Sequence, residues 1–459
     1  MAYYILKSYK LRLSPLEVFE ALRNQTNCFF LDSSLNSNNS SLGRYSFLGI
    51  NPFYILEAKN QDPFRSLRQF LEEYKISIPK SPLPFLGGAV GYLAYDLGFL
   101  LEKKLHRYTV DDLKIPDCIF GFYNTIIAID NIKKILYIFT VGFPEKSYSL
   151  SKSLCELNFR KIHNLLSGVK EHKINQKNKL KNNPANLKSN FSKEGYLLAI
   201  NKAKRYIRAG DIYQVNLSQR FQAQTSFSGF EIYRLLRQIS PSYFSAYFDF
   251  ADFQILSSSP ERFLSLEGNI ATTRPMKGTR PRSQSRLRDK RFKKELLESA
   301  KDKAELMMIV DLERNDLGRV CNYDSIKVSR LRQLEEYSTV FQTTATVSGC
   351  LHRDKDRIDL LRASFPGGSI TGCPKIRAME IIEELEPSRR AIYTGSLGYL
   401  SFSGDMDFNI LIRTLLKKDD RLYFGVGGGI VADSKPEDEY EETLVKAKGI
   451  LTAIGTLNQ

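Results

Sequence analysis

The chain has 459 residues, 42% of them hydrophobic and 26% charged, with a formal net charge of +16. That length exceeds one typical core, so one large or two moderate domains are predicted. No apolar run reaches the roughly 18 residues of a membrane span, and the opening "MAYYILKSYKLRLSP" lacks the pattern of a secretory signal, so a cytoplasmic protein with no membrane partner is expected.

The basic excess is local. Residues 169–191 carry six Lys against one Glu, and residues 280–294 carry eight Lys or Arg against one Asp, so +5 and +7 account for 12 of the 16 charges. No basic stripe interleaved with aromatics runs along the chain, which argues against a nucleic-acid partner. The six cysteines form no CxxC pair, so neither a zinc site nor a disulfide framework is indicated. The four histidines, His106, His163, His172 and His352, lie far from the motif-rich segments, which disfavours a histidine-activated nucleophile.

In chain order, short strand-like runs alternate with turns up to residue 168. Residues 122–141 read as a hairpin turning at Asp130-Asn131. Residues 169–191, rich in Lys and Asn, cannot bury a core and read as a linker between an N-terminal region, 1–168, and a C-terminal domain, 192–459. Ser192 is placed to cap a helix ending at Gly210, and the strand-like "IYQVNLSQRF" follows. Hairpins and amphipathic helices then mix without a βαβ rhythm. An α+β fold with antiparallel sheets is predicted rather than a doubly wound parallel one.

In "SSSPERFLSLEGNIATTRPMKG" (257–278), two strand-like runs fold about Gly268. The hairpin brings Glu261 and Lys277 to its open end, where Pro260 and Pro275 should end the ladder. An acid and an amine placed together tune each other's pKa, and a partly desolvated lysine becomes a nucleophile. The same spacing would equally serve a surface ion pair contributing little.

Residues 295–320 form a strong helical pattern that places Glu298, Asp302 and Glu305 on one face. Near the C-terminus, Ser434 and Glu437 suggest a capping box with Pro436 in the first turn, and Glu439, Glu442 and Lys446 share a face. Carboxylates on two helices suit a hard cation such as Mg²⁺, although acids in a first turn are favoured by the helix dipole alone. The glycine-rich 365–375 puts Cys373 where a P-loop needs Lys, and 424–434 puts Ile430 at the third glycine of a dinucleotide fingerprint. Both stretches can be tight turns, or can offer backbone N–H groups to a carboxylate.

Taken together and in order, "GGAVGYLAYDLG", "AGDIYQVNLSQRF", "SSSPERF", "RPMKGTRPR", "KAELMMIVDLERNDLGRV", "FPGGSITGCPKIRAMEIIEELEPSRR", "GSLGYLSFSGDMDFNILIRTL" and "VGGGIVADSKPEDEYEETLVKA" resemble the chorismate-utilising enzymes, and within them the aminodeoxychorismate synthase component I group. The resemblance is strongest from about residue 192 onward. It implies a sandwich of antiparallel sheets flanked by helices, a chorismate substrate, Mg²⁺, and ammonia supplied by a separate glutaminase (amidotransferase) subunit. By the family pattern, Lys277 attacks the ring and Glu261 protonates the leaving hydroxyl. Mg²⁺ is held by Glu305 and Glu442, with Asp302 and Glu439 behind bound water. Tyr393, Arg413, Gly427, Gly428, Gly429 and Lys446 take the carboxylates, and Gly278 and Thr279 line the ring.

Three positions bear on the choice of reaction. Lys277 resembles the aminodeoxychorismate synthases, where anthranilate and isochorismate synthases usually have Ala. Gln214 stands where isochorismate and salicylate synthases carry a water-activating Lys. Asn216 again matches the aminodeoxychorismate synthases. Two departures accompany them. Gln342 stands where anthranilate synthases have His and receives no catalytic role. Asp32-Ser33-Ser34 replaces the Leu-Glu-Ser of inhibited anthranilate synthases, which leaves tryptophan binding open.

Overall fold

The protein is described by a computed structural model covering residues 2–35, 42–78, 81–169, 187–337 and 340–455. The apolar, β-branched and aromatic runs become strands, and among the described residues these form two large sheets of 12 and 10 strands in which every ladder is antiparallel. With the helices packed around them, this is the predicted α+β architecture. The Asp130 turn forms as expected: its carboxylate accepts the N–H groups of Ile132 and Lys133 at 3.0 and 2.9 Å. The hairpin is shorter than predicted, joining Thr125–Asp130 to Ile135–Val141, while residues 122 and 123 end the preceding strand.

The segments before and after residues 170–186, which lie outside the described residues, share both sheets. Phe29–Asp32 pairs with Phe244–Asp249, and Gly88–Leu93 pairs with Ser396–Ser401. The end of the predicted linker belongs to the fold, because Lys188 and Ser189 pair with Gln222 and Phe221. Between the sheets, Phe29, Phe47, Phe85 and Tyr399 interlock, with the Phe85 and Tyr399 ring centroids 4.5 Å apart. Burying each such ring is favourable by about 1.5–3 kcal/mol.

The chain passes repeatedly from one sheet to the other, and two of these crossings lie side by side. The strand Phe253–Ser259 belongs to the larger sheet and Arg262–Glu267 to the smaller, so Pro260-Glu261 is a corner. Residues 411–413 make the return corner between Met406–Ile410 and Thr414–Lys418, with Arg413 at φ +50°. The Ile410 N–H donates to the Glu261 carbonyl at 3.1 Å, tying the corners together. Sheet-switching corners of this kind free side chains from the face-to-face packing of the strands.

Several local expectations change. The predicted hairpin about Gly268 forms, with Arg262 paired to Arg274, but the ladder does not end at Pro275: Met276–Pro281 continues as a strand against Val340–Cys350. The acidic helix is two helices, Arg286–Glu298 and Ala300–Gly318. Ser299 breaks the run and accepts the Asp302 N–H at 3.1 Å. Glu298 therefore leaves the acidic face and sits exposed beside Lys294. The predicted capping box at Ser434 does not form. Lys435 is the N-cap of Pro436–Ala453 and makes no side-chain cap, while the Ser434 hydroxyl donates to Glu439 at 2.6 Å. Ser192 does cap Lys193–Arg208 by accepting the Gly195 N–H at 3.0 Å. Among the described residues no helix is long and apolar enough to cross a membrane.

Candidate active site

Glu261 and Lys277 arrive from different elements, the corner and the following edge strand, and meet at a third residue. The Lys277 ammonium donates to the Ser369 carbonyl at 3.2 Å, and the Ser369 hydroxyl donates to the Glu261 carboxylate at 2.7 Å. Glu261 is 5% exposed, and burial pushes its carboxyl up to about 7, partly offset by the Ser369 hydroxyl and Lys277. Burial likewise lowers the pKa of Lys277, opposed by Glu305 and Glu261. Burial thus shifts the acid toward its protonated form and the amine toward its neutral form, the directions that proton donation and nucleophilic attack require.

Gly278 is the bulge between Lys277, paired with Thr343, and Thr279, paired with Gln342. It takes φ +74°, and a Cβ there would lie 2.8 Å from Leu296 and 3.1 Å from Asp302. Thr279 sits opposite Gln342, whose Nε2 donates to it at 3.3 Å, while the Gln342 Oε1 is buried without a partner.

The second group lies on the facing helices. The Lys446 ammonium pairs with Glu442 at 2.7 Å and donates to the Gly427 carbonyl at 2.8 Å. A Cβ on Gly428 would fall 3.2 Å from a Glu439 oxygen and 3.7 Å from a Glu442 oxygen, so that glycine is the floor of the acidic cradle. Burial raises the pKa of Glu305 and Glu439, whereas Lys446 lowers that of Glu442. Asp302 is turned to Arg280 at 2.9 Å. Among the described residues no three His, Cys, Asp or Glu side chains are already arranged around a common metal position. Instead the Lys301 ammonium lies between two of the carboxylates, 3.8 Å from Glu305 and 3.9 Å from Glu439. A cation already attracts these oxygens, and the all-oxygen donor set is chemically suited to Mg²⁺. Lys301, 54% exposed, has room to swing away.

The third wall is built from groups left without partners. Both amide atoms of Gln214 and the Asn216 Oδ1 are buried and unbonded, although they line the strand beside Gly429. Arg413 makes no side-chain hydrogen bond or ion pair with another described residue, and burial lowers its pKa. The Tyr393 hydroxyl likewise has no hydrogen-bond partner among the described residues. Its ring lies flat on Gly425, where a Cβ would come within 2.3 Å of the ring carbon Cγ. Buried polar groups are normally satisfied, so this wall fits a polar, anionic ligand.

Apart from Glu298, the residues assigned from the sequence to catalysis, substrate or metal therefore fall on one of three adjoining groups. Ser369 and Lys301 were not anticipated. Ser369 lies in a stretch read as turns, and Lys301 sits at i−4 to Glu305, a spacing that would have flagged it. In the segment compared with a tryptophan pocket, Asp32 is buried and bonded to Arg237 at 2.5 Å and to the Tyr233 hydroxyl at 3.0 Å. Residues 36–41 of that segment lie outside the described residues.

Residues 26–452 match the family model of the chorismate binding enzymes. The chain is 38% identical to anthranilate synthase component 1 of Acetivibrio thermocellus, over 96% of this chain and 92% of that protein. It is 35% identical to aminodeoxychorismate synthase component 1 of Bacillus subtilis (strain 168), over 90% and 89%. Among solved structures, anthranilate synthase component I from Streptococcus pneumoniae TIGR4 superposes with a TM-score of 0.77 at 33% identity, covering 91% of this chain and 93% of that one.

Proposed function

The chain belongs to the chorismate-binding enzyme family, and from that premise we propose that it is the component I of an aminodeoxychorismate synthase, converting chorismate and ammonia to 4-amino-4-deoxychorismate. The observation that carries this reading is Lys277, a partly buried amine of lowered pKa sharing Ser369 with the buried acid Glu261. The Lys277 lone pair forms a bond to ring C2, both ring double bonds shift toward C4, and the 4-hydroxyl leaves as water with the Glu261 proton. Ammonia then bonds to C4, both double bonds shift back as the C2–N bond breaks, and the surplus ammonium proton returns to the Glu261 carboxylate. Two displacements account for net retention at C4.

Arg413, with its forked donors, and the Tyr393 hydroxyl bind the carboxylates, together with Lys446 and the backbone of Gly427, Gly428 and Gly429. Gln214, Asn216, Gly278 and Thr279 border the ring. Mg²⁺, held by Glu305 and Glu442 with Asp302 and Glu439 behind its waters, would neutralise the ring carboxylate. A separate glutaminase subunit would supply the ammonia, and a separate lyase would be needed to release 4-aminobenzoate, because the product retains its enolpyruvyl group.

A second reading, anthranilate synthase component I, is favoured by the 38% identical relative of that name. Under it Lys277 forms no bond to substrate. Mixing the protein with chorismate and Mg²⁺ without ammonia, quenching, and weighing the Lys277 peptide separates the two. An adduct absent from Lys277→Ala supports the amine as nucleophile, and its absence from the active wild type favours anthranilate formation.

A further inference from the structure

Behind Tyr393 lies a buried ion pair that the chemistry above does not use. Arg390 donates to Glu386 through Nε at 2.9 Å and Nη2 at 2.6 Å, and both residues are 5% exposed. The remaining Arg390 donors reach three separate segments. Nη2 donates to the Asn216 carbonyl at 2.6 Å, and Nη1 donates to the Ile370 carbonyl at 2.9 Å and the Thr394 hydroxyl at 3.3 Å. Glu386 in turn accepts the Ser218 N–H at 2.8 Å and its hydroxyl at 2.9 Å. The guanidinium lies 4.7 Å from the Tyr95 ring centroid and 5.9 Å from that of Tyr393.

Each bonded segment carries a group of the site. Asn216 is itself one, Ile370 follows Ser369, and Thr394 follows Tyr393. The Tyr393 turn needs outside support, since Ala391 and Thr394 sit at φ +53° and +59°. Such conformations cost of order 1–3 kcal/mol each and persist only when surroundings over-determine them. A buried ion pair is itself weak ground for stability, because apolar replacements are often neutral. A planar fork that bonds several fixed acceptors at once is, however, something lysine cannot reproduce.

We propose that Arg390, oriented by Glu386, is a positioning residue that pins the Asn216, Ser369 and Tyr393 segments against one another and so sets the chorismate pocket. The inference rests on the reading of this site as a chorismate site.

The test uses Glu386→Gln with Arg390→Met, which removes both charges and leaves neither unpaired, and Arg390→Lys, which keeps a cation beside Glu386. Both are expected to melt within a few degrees of wild type. Hydrogen exchange at 214–218, 369–371 and 391–394 should rise roughly tenfold. For chorismate, kcat/KM should fall roughly 10²-fold, mostly through KM, while the KM for ammonium stays unchanged. Folded variants with wild-type exchange and wild-type chorismate KM would overturn the proposal. If the wild type fails to consume chorismate, the reading of the site fails, and the exchange measurement still decides the role of Arg390.

Discussion

The two sides of the site are finished differently. Around Lys277 the functional groups already have partners: the amine has the Ser369 carbonyl, Glu261 has the Ser369 hydroxyl, and Glu442 has Lys446. On the other side, the buried Gln214 amide atoms and Asn216 Oδ1 have none, and the Arg413 and Tyr393 side chains have no hydrogen-bond partner among the described residues. The chemical side is organised before substrate arrives, as electrostatic preorganisation requires. The binding side is completed only by a ligand that brings its own acceptors. Substitutions on the first side should therefore act on kcat, and on the second side on KM.

The largest expected effect is Lys277→Ala. With the nucleophile gone, kcat should fall by roughly 10³-fold or more, about 4 kcal/mol of barrier, with chorismate binding retained in a thermal-shift titration. A variant that lost binding instead would erase the contrast between the two sides.

Glu261→Gln should lower kcat by roughly 10²- to 10⁴-fold. It also carries a sign in pH. The folded pKa of about 7 lies above the ordinary carboxyl value, so the stability associated with the protonated form is full in acid and is lost as pH rises through about 7. Glu261→Gln should therefore melt higher than wild type at pH 8 and equal to it near pH 4. Wild-type kcat should decline above pH 7 as the acid ionises.

On the other side, Arg413→Ala should raise the chorismate KM by roughly 10- to 100-fold, the worth of a charged hydrogen bond at about 1.5–3 kcal/mol. It should leave the melting temperature unchanged, because no protein group loses a partner. A marked loss of stability would show that Arg413 is structural. The smallest effect is expected at Lys301→Met. Removing the ammonium between Glu305 and Glu439 should lower the Mg²⁺ concentration for half-maximal activity a few-fold, in keeping with the modest strength of exposed pairs.

Much of this was legible in the sequence where the cause is local. The Ser192 cap, the Asp130 turn and the Gly268 hairpin are short-range patterns, and all three form. What was not legible depends on distant partners. Nothing near Phe29 announces that it pairs beside Phe244–Asp249 across more than two hundred residues. Ser434 has the spacing of a cap, but a buried Glu439 competes for its hydroxyl and wins. Ser299 interrupts an acidic stripe that reads as continuous, because its side chain serves the Asp302 N–H as a cap. Pro275 looked like the end of a ladder, yet the chain re-enters the sheet against a strand that begins at Val340. The placement of Ser369 between Lys277 and Glu261 needs the sheets to be assembled first, so no motif spacing could supply it.

The most direct test of the account is to identify the product when the purified protein is given chorismate, Mg²⁺ and an ammonium salt, by chromatography and mass. The wild type should give 4-amino-4-deoxychorismate and Lys277→Ala none. Anthranilate from the wild type, undiminished in Lys277→Ala, would contradict it.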